Sequence, residues 1–233
     1  KGQKLSLKRA DRDAKEGVVY AMVSADGKKG VVIRLSSETD FVAKNEDFVN
    51  LAKEFTQIAL DTFPADLETL LKQPYQNITI GEKVSEQVGV IGEKIEVADY
   101  QQIEAPQVVP YIHMGNKAGV ILGLNNADAK FRDAGRDVAM QVAAMKPVAL
   151  DKDGVDASII EKEIEIGKEL ARQEGKPEDM LEKIALGKLN RFFKDNTLLA
   201  QAFVKDNSLS VEAYLKSMDK DLTVTAFKHV KLG

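Results

Sequence analysis

Apolar positions along the chain change period several times, and each change marks an element. Val18–Val23 and Gly30–Leu35 are short, β-branched runs on either side of Asp26-Gly27, a turn signal, and together they predict a hairpin. The following stretch, Ser36–Asp47, is polar and reads as loop. Asn45 is placed to cap a helix in which Phe48, Leu51, Ala52, Phe55, Ile58 and Ala59 recur at helical spacing. Pro64 and Pro74 keep residues 64–80 in short pieces. A helix follows over Gly81–Ile91, with Val84, Val88 and Ile91 on one face, and then a strand over IEVADYQQI. VVPYIHM and AGVILGL predict a second strand pair turning at Gly115-Asn116. Residues 127–145 are amphipathic with helical period through Phe131, Ala134, Val138, Val142 and Met145. Two charged helical segments run from about Asp156 to Asp195, split by Gly175-Lys176-Pro177, a pattern that predicts a helical hairpin. A helix over Val211–Met218 and a strand, LTVTAFKHV, close the chain.

The two halves repeat one another. Gly30–Leu35 aligns with Gly119–Leu124, and Phe48, Leu51, Ala52, Phe55 and Ala59 align with Phe131, Ala134, Gly135, Val138 and Val142. At a second constant offset, Val84, Val88, Ile91, Ile95, Val97, Tyr100 and Ile103 match Val211, Leu215, Met218, Leu222, Val224, Phe227 and Val230. The expected fold class is therefore α+β, with two related subdomains, each a small antiparallel sheet covered by helices, and a helical hairpin inserted in the second. The expected organisation is a linker helix over residues 1–16, a core subdomain over 17–105, and a second over 106–233 whose hairpin covers about 156–195. Between strand and helix the first copy carries twelve residues, Ser36–Asp47, where the second carries six, Asn125–Lys130. The first copy is longer by about the length of ETDFVA. Extra length at such a junction is where loops tend to carry function.

Composition narrows the chemistry. A net charge of −4 gives no global electrostatic case for nucleic acid. The opening segment is basic at Lys4, Lys8, Arg9, Arg12 and Lys15, but Asp11, Asp13 and Glu16 interrupt it, so it reads as a solvated linker. The 233 residues contain no Cys, which removes disulfides, thiolate zinc sites and Cys nucleophiles and fits a reducing compartment. No apolar run approaches the roughly 20 residues of a membrane span, and no signal peptide is recognisable. A Ser37–His113–Asp40 constellation stays open on spacing alone, because such triads are set by geometry. No GxSxG, HExxH, GxxxxGK[ST] or GxGxxG motif is present, and no His or carboxylate cluster has metal-ligand spacing. The chain is read as a non-enzyme with no cofactor and no metal.

What remains is Phe41, an aromatic beside Asp40 in a polar stretch. It either tucks onto its own subdomain or stands out as an interface anchor. His113 reads as a strand-end residue before a turn, and Ile91-Gly92 as a helix end with a glycine cap.

Thr39-Asp40-Phe41-Val42-Ala43-Lys44 resembles the signature of the bacterial elongation factor Ts family. VVPYIHMGNKAGVIL resembles that family's His-Gly hairpin, VIGEKIEV its Ile-Gly-Glu segment, and AAMKPVAL its Ala-rich helix end with Lys-Pro. The helical pair around Gly175-Lys176-Pro177 stands where the family carries a protruding coiled-coil hairpin. The resemblance implies a cytoplasmic guanine nucleotide exchange factor for elongation factor Tu, acting on its GDP-bound and nucleotide-free forms during translation elongation. It implies that Thr39, Asp40, Phe41 and Val42 form a wedge. The Asp-Phe pair would enter between helices of the GTPase and disturb its magnesium and phosphate region, with Ile91, Gly92 and His113 as supporting contacts. It also implies a second docking of the second subdomain on the partner's third domain, and a hairpin through which relatives can dimerise, making this one a candidate for self-association as well as for a solvated strut. The family's small N-terminal helical module is not recognisable here, and Lys1–Lys15 resembles the linker that follows it. No membrane and no direct nucleic-acid contact are expected. The competing class is a translation-associated RNA-binding or scaffold protein without exchange activity, for which the basic start and the charged hairpin speak.

Overall fold

The computed structural model describes residues 2–233, which fall into two compact units. One comprises the chain up to Ala143 together with Thr225–Gly233, and the other is Ala144–Val224. Lys1, part of the expected linker helix, lies outside the described residues.

The first unit opens with α1 (Gly2–Lys8), shorter than the expected linker helix, because the chain turns at Arg9–Arg12 through an Arg12 N–H bond to the Arg9 carbonyl. Strands β1 (Glu16–Val23) and β2 (Lys29–Ser37) form the expected hairpin around Asp26-Gly27. Asp26 closes that turn by accepting from the Ser24 hydroxyl and the Lys28 N–H. The stretch read as loop contains a five-residue helix, α2 (Asp40–Lys44), before α3 (Glu46–Thr62). Asn45 caps α3 as expected, its side chain accepting from the N–H groups of Asp47 and Phe48. Then come α4 (Leu67–Leu71), the two-residue strands β3 (Pro74–Tyr75) and β4 (Ile78–Thr79), α5 (Ile80–Ile91) and β5 (Glu96–Glu104). The second hairpin is β6 (Gln107–His113) and β7 (Ala118–Leu124), followed by a 3-10 turn and α6 (Arg132–Met145). Pro110 lies in β6, at the edge of its sheet, where a missing N–H is tolerated.

In the second unit, α7 (Ala157–Gln173) and α8 (Leu181–Asn196) form the helical hairpin. They approach closely at Gly167, where an added Cβ would lie 3.1 Å from the Ala185 Cα. Strands β8 (Ala202–Phe203) and β9 (Asp206–Ser210) lead into α9 (Val211–Met218), and the Phe203 and Tyr214 rings stack with centroids 4.0 Å apart. The chain ends with β10 (Val224–Lys231).

The repeat is visible in the sheets. One has strand order β1-β2-β5 and the other β10-β7-β6. In each, the second hairpin strand is central and the strand that follows the later helix pairs with it. The fold class is thus α+β, with small antiparallel sheets covered by helices. The first sheet buries one face under α3 and α5, where Ile33, Leu35, Phe48, Phe55, Ile80, Val88 and Tyr100 form a continuous core. Its other face meets the second sheet through Val19, Ala21, Val32, Val108 and Ile121, so both sides of β2 are apolar and Val31–Ile33 reads as an unbroken run.

Candidate functional site

The extra residues of the first copy build α2, and the sequence explains why so short a helix forms. Thr39 takes the N-cap position with extended backbone (φ −115°, ψ 153°). Asp40 stands in the first turn and Lys44 in the last, and their side chains pair at 2.8 Å across one turn. The Asn45 N–H bonds to the Val42 carbonyl, and Asn45 then opens α3. Lys44 holds the Asp40 carboxyl below the usual carboxylate range, chiefly through this hydrogen bond, and Asp40 raises Lys44 in return. Asp40 is therefore ionised at neutral pH.

A helix of five residues is far below the length that is stable alone, so its setting depends on what anchors it. Val42 packs against the core of the first unit. Glu93, just past the end of α5, supplies a second anchor. One carboxylate oxygen accepts the backbone N–H groups of Glu38 (2.9 Å) and Thr39 (3.0 Å). The other accepts the Thr39 hydroxyl at 2.5 Å. The bonding is reciprocal, since Glu38 accepts the Lys94 N–H at 2.6 Å. Arg12 approaches the same Glu38 carboxylate at 3.4 Å, and the Lys94 ammonium donates to the carbonyls of Ala10 and Arg12.

Phe41 stands outward from this anchored turn. It is 83% exposed, so the choice between a tucked lid and an exposed aromatic goes to exposure. Beside it is a shallow cavity of about 360 Å³, lined by Phe41, Val42, Asn45, Phe48, Val90 and Ile91 among others. Val90, on the outer face of α5, is 74% exposed. An uncovered apolar cluster of this kind on a turn held by charge-assisted hydrogen bonds can bind another surface. The Ser37 hydroxyl donates to the Thr39 carbonyl, Asp40 pairs with Lys44, and the His113 Nδ1 lies 2.9 Å from the Tyr111 hydroxyl, so the Ser37–His113–Asp40 triad left open by spacing is not assembled. Among the described residues no group of three or more His, Asp or Glu side chains is placed to hold a metal ion, and no helix is long and apolar enough to cross a membrane.

Of the residues singled out in the sequence, Thr39, Asp40, Phe41 and Val42 are brought together with Ile91 and Gly92 by the Glu93 bonds and the shared cavity. Gly92 caps α5 in the left-handed region (φ 83°), its N–H bonded to the Val88 carbonyl, so the capping reading holds. His113 does not line the cavity and ends β6. Sequence reasoning missed Glu93 and Val90. Val90 carried a faint signal, a β-branched residue off the apolar face of α5, and Glu93 stood only as the acidic residue of the Ile-Gly-Glu segment, with no role attached to it.

The sequence profile described as Elongation factor TS matches residues 38–233. Proteins named Elongation factor Ts from Christiangramia forsetii, Cytophaga hutchinsonii and Flavobacterium psychrophilum are 53%, 52% and 49% identical to this chain. Each alignment covers 100% of the chain and 84% of the relative. With identity of this level over its whole length, the chain belongs to the elongation factor Ts family.

Proposed function

We propose that this chain is a guanine nucleotide exchange factor for elongation factor Tu in translation elongation, working in the cytoplasm, and that it promotes GDP release by inserting the turn Thr39–Val42 near the magnesium and phosphate site of the GTPase. The observation that carries the reading is Phe41, exposed at the tip of an anchored helical turn with Asp40 ionised beside it. A factor accelerates nucleotide release only by binding the nucleotide-free partner better than the loaded one, and linkage makes nucleotide weaken the factor by the same ratio. Burial of one Phe side chain contributes roughly 1.5–3 kcal/mol, about tenfold to a hundredfold. Phe41 thus supplies part of the exchange effect. Asp40 supplies a negative charge where the partner holds a cation and phosphates. Ile91, Gly92 and the neighbouring Val90 widen the contact, and His113 supports it from a separate position on the same unit.

The test is release of a fluorescent GDP from elongation factor Tu into excess unlabelled nucleotide, with the chain, without it, and with Phe41→Ala. The expected result is faster release with the chain, lowered roughly tenfold to a hundredfold per unit concentration by Phe41→Ala. Release that the chain fails to accelerate at any concentration, or that Phe41→Ala leaves untouched, overturns the reading.

A further inference from the structure

We infer that Glu93 is the positioning residue of the exchange turn: its carboxylate fixes the pitch of α2 and so presents Phe41 and Asp40 as a preformed wedge. The inference rests on the exchange reading above and adds a residue that touches neither partner nor nucleotide in that reading.

Three donors converge on this one carboxylate: two consecutive backbone N–H groups and the N-cap hydroxyl. All three lie in the two residues immediately before α2. The helix itself offers little resistance to reorientation. It has five residues, none of them buried, and the Thr39 hydroxyl lies a long 3.4 Å from the Val42 N–H it caps. Phe41 makes no use of the core, so nothing of its own side chain fixes its direction. On the other side, Glu93 follows Gly92, whose left-handed backbone turns the chain out of α5. The reciprocal bond from the Lys94 N–H to Glu38 closes a ring between the two segments. The end of α5 and the start of α2 are thus one bonded assembly. A turn that samples several directions binds with an affinity reduced by the fraction of time it spends in the competent one.

The geometry distinguishes reach from charge. In Glu93→Gln the amide oxygen can accept both N–H groups while the NH₂ donates to the Thr39 hydroxyl, which retains a free lone pair. In Glu93→Asp the charge remains but the side chain is one methylene shorter and falls away from the donors. The same nucleotide-release assay, run with the chain and with Glu93→Ala, Glu93→Gln and Glu93→Asp, reads the difference. Exchange efficiency is expected to fall roughly tenfold in the Ala variant, to stay within about twofold of the unaltered chain in the Gln variant, and to fall with Ala in the Asp variant. Amide hydrogen exchange at Glu38 and Thr39 accelerates in Ala and Asp and not in Gln, while α3 stays protected. If Glu93→Ala does not fold, the comparison of Glu93→Gln with Glu93→Asp carries the test by itself. A Glu93→Ala variant as efficient as the unaltered chain, where Phe41→Ala is impaired, overturns the positioning role and leaves the exchange reading standing. Rescue by Asp but not Gln also overturns it, in favour of a charge effect. A chain that does not accelerate release at all removes the exchange reading and this role with it.

Discussion

Gly30 and Gly119 occupy reciprocal places in the interface between the two sheets of the first unit. A Cβ on Gly30 would stand 2.5 Å from a Val108 methyl carbon and 3.4 Å from one of Ile121, and a Cβ on Gly119 would stand 2.9 Å from Val19 and 3.1 Å from Val32. The same offset separates Gly30 from Gly119, Val19 from Val108, and Val32 from Ile121. Each half of the repeat therefore offers a glycine gap to the valine and β-branched pair of the other, as in a two-fold interface built within one chain. Gly30→Ala and Gly119→Ala should each destabilise the chain by about 1–3 kcal/mol through overpacking. In urea unfolding, Val108→Ala should recover part of the loss in the Gly30→Ala background while destabilising the parent. Strictly additive effects would show that the backbone, not Val108, absorbs the added methyl.

Gly92 differs in kind, because space is available there. The nearest atom to an added Cβ is an Arg9 nitrogen at 4.0 Å, yet the backbone sits at φ 83°. Gly92→Ala should cost about 1 kcal/mol from the left-handed conformation alone, and Gly92→Asn less, since Asn tolerates that region. If Gly92 acts by aiming Glu93, exchange efficiency should follow the same order, Gly above Asn above Ala. Equal stability of the three variants in thermal melts would contradict the conformational account.

Much of this fold was legible because its elements follow simple periods. The Asp26-Gly27 hairpin, the Asn45 cap, the helix over Val211–Met218 and the shared order of elements in the two halves all follow from local pattern and self-similarity. The extra length around Thr39–Ala43 read as loop, and it forms a five-residue helix. Nothing apolar is periodic over five residues, and what makes α2 helical is a cap, an ion pair and an anchor from fifty positions away in the chain. The bonding of Glu93, although the residue stands in the Ile-Gly-Glu segment, was illegible for that reason. Two of its three partners are backbone N–H groups, which every residue except proline carries, and the third is the Thr39 hydroxyl, which as an N-cap needs no distant acceptor to explain it. Family resemblance supplied the role proposed for Phe41, and the fold supplied what holds its turn.

Asp40 and Lys44 give the site a pH signature. The lowered value of Asp40 means that the pairing contributes above the ordinary carboxylate value of about 3.9 and is lost as pH falls through the lowered value. In a carboxyl carbon NMR titration, Asp40 should titrate below the ordinary range in the parent and move up toward it in Lys44→Met. Both side chains are exposed, so raised salt should produce part of the same upward shift. An Asp40 titration indifferent to Lys44→Met would mean that its own turn, not the ion pair, lowers it.

Tyr75 and Glu54 give the opposite sign at the alkaline end. The part-buried Tyr75 hydroxyl donates to Glu54 at 2.6 Å, and that bond, with partial burial and the Glu54 charge, pushes the phenol up to about 12. A raised value means the contribution is fully present below the unfolded phenol value of about 10 and is lost as pH rises from there through about 12. Tyr75→Phe removes the hydroxyl and keeps the edge-on contact with Phe55, whose ring centroid is 5.6 Å away. At pH 8 it should cost about 1 kcal/mol, the ordinary net worth of one hydrogen bond. The difference between parent and variant should shrink in urea melts taken at increasing pH above about 10. Lysines titrate in the same window and weaken both proteins alike, so the difference isolates Tyr75. A gap that stays constant to pH 11.5 would place the cost of Tyr75→Phe in packing around Phe55 instead of in the bond to Glu54.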